Sequence, residues 1–521
     1  MLKLSFSSLL GFIVILIFSH STFAQLTWAD DAAEIVFENC TACHNDNGIA
    51  PFSLMDYESV LSNSGAIEAA VSDEYMPPWT ADDGYQSYAH SRKLTPIEKS
   101  TLLAWLDDGM AQGDLADTPP APVYSNEGFI QAEPDLEMTM EPYTSTATFN
   151  QDDYICISLP TGLTEDKKLK AYEVVPGNPS ILHHCLVYID DTGNYPTDFS
   201  GQCVGPNDDE GLIGGYTPGA VPTVFPSNGN DINMGITIPA GSNIVLAMHY
   251  PHGSAGEIDQ TKIRLFFYDD DVEIREVLTY PLLSNWTFNI QANTQEEVMA
   301  QYGPIAQDLS VLSVFPHMHL LGEYINSYAV TGDNETIPLV KIPHWDFEWQ
   351  EFYFFQNIQH VPSGSTFYAN GTYNNTNTNP HNPNSPPQNV GAGLNTSDEM
   401  FLVYFHFLEY QEGDEDLNLT ELTALPSSLT EVKVNEEAFI NVYPNPASET
   451  VRFSFNLNSA ASGSLYIYDG FGGIVNKVID RESVAQGVSD YSMDVSSLSS
   501  GVYYYSVRID GALKAGKFIV E

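Results

Sequence analysis

From about residue 131 to residue 425 the chain runs in short stretches of alternating apolar and polar residues, each broken by Gly, Pro, Asn or Asp. "SNIVLAMHY", "TKIRLFFY" and "MFLVYFHF" are examples. A period of two puts every second side chain on one face of a strand. Turn residues at such close spacing leave no room for long helices, so this stretch predicts antiparallel β-structure of the sandwich type.

The flanks have other textures. Residues 25–113 read as a small helical domain. Thr95-Pro96-Ile97-Glu98 is a capping box with Pro at the first helical position, and Ile97, Leu102, Trp105 and Leu106 should share a buried face. Gly109 is a candidate C-cap. Residues 114–130, with Pro119, Pro120 and Pro122, read as a linker, and residues 426–521 as a further β-segment after a polar break. Within the β-region, 131–288 and 289–425 are taken as two domains. The expected fold class is therefore mainly β, with a small helical domain in front and a small β-sandwich behind.

Residues 1–24 resemble a secretory signal: Lys3, an apolar core from Leu9 to Phe18, and Thr22-Phe23-Ala24 before the cleavage point. No later apolar run is long enough for a transmembrane helix. The net charge of −51, from 69 acidic and 18 basic residues, argues against binding nucleic acid or anionic membranes. Five cysteines, all before residue 204, are too few for a disulfide scaffold.

Two clusters of residues carry chemistry. Cys40-Thr41-Ala42-Cys43-His44 is the pattern of c-type haem attachment, with two thiols for thioethers and an imidazole for the iron. A disulfide or half of a zinc site would also use CxxC, but a zinc site needs a second ligand pair and the helical segment has none. Met76, in "YMPPW", is the expected sixth ligand, with Met55, Met110 and His90 as rivals. Here residues 30–113 resemble the class I cytochromes c, in which the loop matching "GIAPFSL" orients the imidazole through a backbone carbonyl.

The second cluster is spread over the β-region: His183-His184, His249, the pair in "FPHMHLLG" (His317 and His319), and Met400. A single histidine in a strand is ordinarily a satisfied core imidazole. Residues i and i+2 of a strand point the same way, however, so His317 and His319 can share an ion. His183 and His184 need a local twist or different ring nitrogens to do so. In order, an adjacent His pair, His249-Tyr250, His-x-His with Leu321-Gly322, and Asp398-Glu399-Met400 resemble the type II copper, ascorbate-dependent monooxygenases, which include the peptidylglycine and dopamine β-monooxygenases. "DYICISLP" at 153–160 resembles the first core strand of that family.

The resemblance covers about residues 131–425 and implies two packed jelly-roll domains with two copper ions. His183, His184 and His249 would hold the electron-storing copper, and His317, His319 and Met400 the one that meets dioxygen. Imidazole suits both copper oxidation states, and a thioether favours Cu(I). Electrons would cross a solvent gap between the two. Tyr404 matches the family and is taken as catalytic. Phe315 stands where the peptidylglycine enzymes have Arg, and Leu402 where they have Asn, which implies a less polar substrate, small or peptide-like. The resemblance also implies that Cys156 pairs with Cys203, leaving Cys185 free. Asp398 and Glu399 read as a strand-end turn, with a proton path as the alternative.

Such enzymes consume two electrons per turnover, supplied by ascorbate or by a redox protein. An acidic chain repels ascorbate, whereas a tethered haem domain sits at high effective concentration, so the haem is expected to feed the storing copper. "VYPNPASETVRFSF", "LYIYDGFGGIV", "LSSGVYYYSV" and the terminal "KAGKFIVE" resemble the sorting domain of the type IX secretion system of Bacteroidota, which implies passage through the periplasm to the cell surface or the medium. The resulting expectation is a secreted copper monooxygenase that hydroxylates a C–H bond. The competing readings are a non-catalytic electron-transfer or copper-binding surface protein, and a zinc or iron site at His317/His319, which leaves Met400 unexplained.

Overall fold

The computed structural model describes residues 25–424 and 440–520, except 47, 49, 123, 125–127, 131, 149–150, 202, 204, 207–210, 394, 458–460, 469–473, 485–486, 497, 499–500 and 510–511. The signal segment 1–24 lies outside the described residues. The chain is mainly antiparallel β, with 42% strand and 12% helix, and separates into compact units at Pro426/Ser427.

In the first unit the β-region forms two sandwiches. One sheet of the first has the spatial order Asp198–Gly201, Asp153–Pro160, Asn243–Tyr250, His184–Asp190, Leu212–Tyr216. The facing sheet is built around Lys167–Val175, Met234–Ile238 and Lys262–Phe267. The second sandwich pairs Leu278–Ser284, Leu402–Glu409, Leu309–His317 and Tyr353–Val361 against Gln295–Tyr302, Thr366–Asn374, Gly322–Val330 and Ile337 with its strand, Thr336–Ile342. Leu278–Ser284 lies before residue 289, so the second sandwich starts earlier than the change of texture suggests.

Asn243–Tyr250 is buried at every position. One face packs on its own sandwich through Leu246 and Met248, and the other, through Val245 and Ala247, meets Phe315, Leu402 and Tyr404 of the second sandwich. This covered outer face is why the middle of the strand, Ile244 to Met248, is apolar on both sides. The two histidine-bearing sheets thus look at each other.

Four helices, Ala33–Asn39, Tyr57–Ser62, Ser64–Ser72 and Pro96–Asp107, share a core of Trp28, Val36, Leu102 and Trp105. The capping box forms as expected: Thr95 accepts from the Glu98 amide and Glu98 reaches back to the Thr95 amide. Gly109 takes a positive φ of 83° past the helix end. Ile97 does not join the buried face and is 77% exposed, because the first turn projects beyond the packed core. Residues 79–90 leave the helices altogether. Trp79, Ala81 and Tyr88 enter the core of the second sandwich and Ala89 that of the first. The stretch read as a linker is also tied down at its end. Ile130 is buried, and Glu173 and Arg264 bind its amide and carbonyl.

The unit from Ser427 onward packs Ile440–Tyr443, Thr450–Leu457 and Gly487–Asp494 against Ile474–Val484, Ala461–Tyr468, Gly501–Ile509 and Ala512–Val520, over Val451, Phe453, Leu465, Val507 and Phe518.

Candidate metal centres

His249 pairs across the sheet with His184 on one side and Tyr154 on the other, and its ring stacks on Tyr154 at 4.3 Å. The strand begins at His184, so His183 lies just outside it and is freed from strand alternation. That break, pinned by the His183 amide on the His249 carbonyl at 3.0 Å, lets adjacent histidines converge. Nδ1 of His184 stands 3.2 Å from Nδ1 of His183 and 3.3 Å from Nδ1 of His249. Nitrogens bound to one ion at about 2.0–2.1 Å come roughly this close. Burial holds His183 down to about 4 and His184 well below its ordinary value, so both rings are neutral with free lone pairs. Nε2 of His249 is 3.0 Å from Asp152, which fixes the ring.

The second pair meets differently from the expectation. The strand ends at His317, and His319 sits in the turn beyond it, so strand alternation does not place both rings. The buried Glu399 carboxylate does: it accepts the amides of His319, Leu321 and Met400 at 2.9, 2.6 and 3.3 Å. It ties the histidine turn to the methionine, and burial raises its pKa to about 8 against those amides. Gly322 follows because Trp345 packs where a Cβ would stand, 2.7 Å away.

The two rings are perpendicular, with centroids 5.1 Å apart. Nδ1 of His317 donates to Oε1 of Gln350 at 2.6 Å, and Gln350 in turn donates to the Phe347 carbonyl, fixing its amide. Nδ1 of His319 donates to the Asp398 carbonyl at 3.1 Å. Both rings therefore keep Nε2 for a ligand. Burial lowers their pKa values, to about 3 and about 4.

Met400 and Tyr404 line the same cavity of about 360 Å³ as His184, His317 and His319. Phe315, Leu402, Leu186, Leu212, Trp286 and Phe347 make it largely apolar, and no Lys or Arg lines it among the described residues. The Phe347 ring lies between the clusters, 6.5 Å from His184 and His249 and 5.8 Å from His319. Cys156 and Cys203 form a disulfide, and Cys185 is a buried free thiol, as the resemblance implied.

In the helical segment Cys40 and Cys43 are free thiols. Burial raises Cys40 to about 12. Nδ1 of His44 faces the Phe52 carbonyl at 3.0 Å, the loop carbonyl expected to orient it. Met76 is half-buried in the loop after Ser64–Ser72, its amide on the Ala70 carbonyl.

Asp152, Gln350 and Phe347 escape sequence reading. They lie in "QDDY" and "FEWQEF", where no spacing links them to the histidines.

Comparison with known proteins agrees in two places. Residues 282–422 match the family model described as copper type II ascorbate-dependent monooxygenase, C-terminal domain. The second sandwich is a copper type II monooxygenase-like domain. Residues 441–521 match the secretion system C-terminal sorting domain, which marks the protein for secretion or the cell surface. Copper is thus supported by the family match and by the His183/His184/His249 cluster. No curated relative matches the chain. Among solved structures, CopC from Methylosinus trichosporium OB3b is 20% identical over 16% of this chain and 93% of that one, with a TM-score of 0.13. A β-glucuronidase from Faecalibacterium prausnitzii is 10% identical over 68% of this chain and 46% of that one, with a TM-score of 0.12. Neither superposes closely. Among the described residues no helix is long and apolar enough to cross a membrane.

Proposed function

We propose that the protein is an exported monooxygenase that uses two copper ions and dioxygen to hydroxylate a C–H bond, with electrons entering through a covalently attached c-type haem. The observation that carries this reading is the single cavity shared by His184, His317, His319 and Met400, with His317 and His319 held by outer hydrogen bonds that leave Nε2 for a ligand and His249 held by Asp152. His183, His184 and His249 would hold one ion through Nδ1. His317 and His319 through Nε2, with Met400, would hold the other.

The donor set fits copper, since buried neutral imidazoles suit both oxidation states and a thioether favours Cu(I). The helical segment fits haem. Its two thiols are free, and His44 keeps Nε2 available. Met76 is the proposed sixth ligand.

Bound copper supplies the one-electron chemistry that reduces dioxygen and activates the C–H bond. Overall, R–H, O2, two electrons and two protons give R–OH and water. The chain's own part is to bind and orient. Phe315, Leu402, Leu186 and Leu212 offer apolar surface to the substrate, and no Lys or Arg among the described residues stands at the wall to pair with a carboxylate. Tyr404 lines the same cavity and would offer its phenol to the substrate there. Apolar, C–H-rich molecules or peptide-like ones without a free terminal carboxylate are the substrates this wall favours.

The test is metal and haem analysis of the full chain, followed by oxygen uptake on reduction with ascorbate in the presence of apolar substrates. Two coppers and one haem per chain, with hydroxylated product, are expected. Two coppers without product would make it a copper-binding or electron-transfer surface protein instead.

A further inference from the structure

We propose that each metal centre has its own route through packed and hydrogen-bonded residues to the proposed haem site, so that an electron reaches the His317–His319 centre without crossing the cavity from the His183 cluster. This rests on the haem and copper reading above, and changes its internal wiring.

The first route runs through the turn after Leu212–Tyr216. Gly219 lies against Cys43 Sγ, close enough that a Cβ would stand 2.6 Å away. Tyr216 is the cross-strand partner of Cys185, which follows His184 in sequence. Sheet hydrogen bonds therefore link the thiol's neighbour to the first cluster.

The second route runs through Arg92. Its Nε donates to the Pro78 carbonyl at 3.0 Å, in the loop that carries Met76. Its two terminal nitrogens grip Glu351 at 2.8 and 2.9 Å. Glu351 is joined by a peptide bond to Gln350, and Gln350 takes the Nδ1 proton of His317 at 2.6 Å. The side chains of Arg92 and Glu351 are only 20% and 12% exposed, so this fork-to-fork pair is largely shielded from water and rigid.

Both routes skirt a second, smaller cavity of about 80 Å³, whose wall includes Tyr216, Glu351, Gln350, His184 and His317. The larger cavity, of about 360 Å³, also lies between the clusters, and Phe347 is the only ring within 6.5 Å of members of both among the described contacts. Electron tunnelling falls off less steeply along covalent and hydrogen bonds than across open space. In this proposal the electron follows the packed and hydrogen-bonded routes whenever the cavity holds only solvent.

Each transfer moves one electron: ferrous haem iron becomes ferric as one cupric ion becomes cuprous, and an external one-electron reductant restores the iron. Arg92, Glu351 and Gln350 are positioning residues in this account.

The experiment uses full-length, haem-bearing, copper-loaded protein, reduced rapidly with dithionite without oxygen and followed by haem absorbance and freeze-quench paramagnetic resonance of cupric copper. His249→Ala empties the first centre, verified by one copper per chain. The remaining copper should then be reduced within about threefold of its rate in the parent protein. Adding Gln350→Leu should slow that step at least tenfold, and Gln350→Glu, which keeps an acceptor for His317, should restore it. Slowing of more than tenfold on His249→Ala alone, or no effect of Gln350→Leu, overturns the branched route. A Cys40→Ala/Cys43→Ala chain gives the rate of direct reduction by dithionite. If that chain reduces both coppers as fast as the parent, the haem reading itself fails, which is a different result.

Discussion

Asp152 shows how a single residue outside the ligand set can decide a metal site. It holds Nε2 of His249 and leaves Nδ1 as the only nitrogen of that ring able to meet His184. Asp152→Asn should weaken copper at the first centre by about 10- to 100-fold, measured by competition with a chelator, while the second centre keeps its affinity. Tyr404→Phe keeps the ring in the cavity and removes the hydroxyl, so kcat should fall by about 10²-fold if the phenol serves the reaction, with copper content unchanged. At this scale the sequence reveals ligands better than their supports. His183, His184 and His249 stand out because paired histidines in β-texture are unusual, and the structure brings those three together. Asp152 and Gln350 carry no such mark, since their partners are 97 and 33 residues away and one carboxylate among so many is not conspicuous.

At the scale of elements, the seam between the sandwiches is stitched by His406. Its Nε2 donates to the Ile213 carbonyl at 3.1 Å, across the seam, and its Nδ1 accepts from Ser313 at 2.7 Å. Burial holds its pKa down to about 4. An unfolded chain takes up this proton near pH 6.5, while the folded one refuses it until about pH 4. The contribution to stability is therefore complete above pH 6.5 and lost as pH falls towards 4, at up to about 1.4 kcal/mol per pH unit. In copper-free protein His183 and His317 add to the same slope. Urea unfolding at pH 7 and pH 5 should show that loss, and His406→Gln should reduce it by up to one proton's worth; an unchanged slope would refute the assignment. Element existence was legible from period-two runs and from the Thr95 capping box. Strand alternation does not account for the His-x-His pair: the strand stops at His317, and Glu399 gathers the turn. Glu399→Ala leaves two buried amides, of His319 and Leu321, and the half-buried one of Met400 without their acceptor. It should cost about 1–3 kcal/mol and loosen copper at the second centre alone, read by denaturation and by metal titration.

For the whole molecule, the helical segment is docked rather than tethered. Trp79 and Tyr88 are built into the second sandwich, Arg92 pairs with Glu351, and Lys341 with Asp82. A linker-length argument about effective concentration thus gives way to fixed contacts, which sequence texture could not show because they join residues more than 250 apart. The segment from Ser427 is a compact unit of its own, so a chain ending at Pro426 should keep its copper sites but remain inside the cell envelope, read by metal content and by fractionation of culture and cells. The central claim is that two imidazole clusters and one thioether hold two copper ions about a common cavity. X-ray absorption of the reduced, copper-loaded full chain tests it most directly. The account predicts two coppers per chain, one with a sulfur neighbour that disappears in Met400→Ile. A single copper, or a sulfur signal untouched by that substitution, would contradict it.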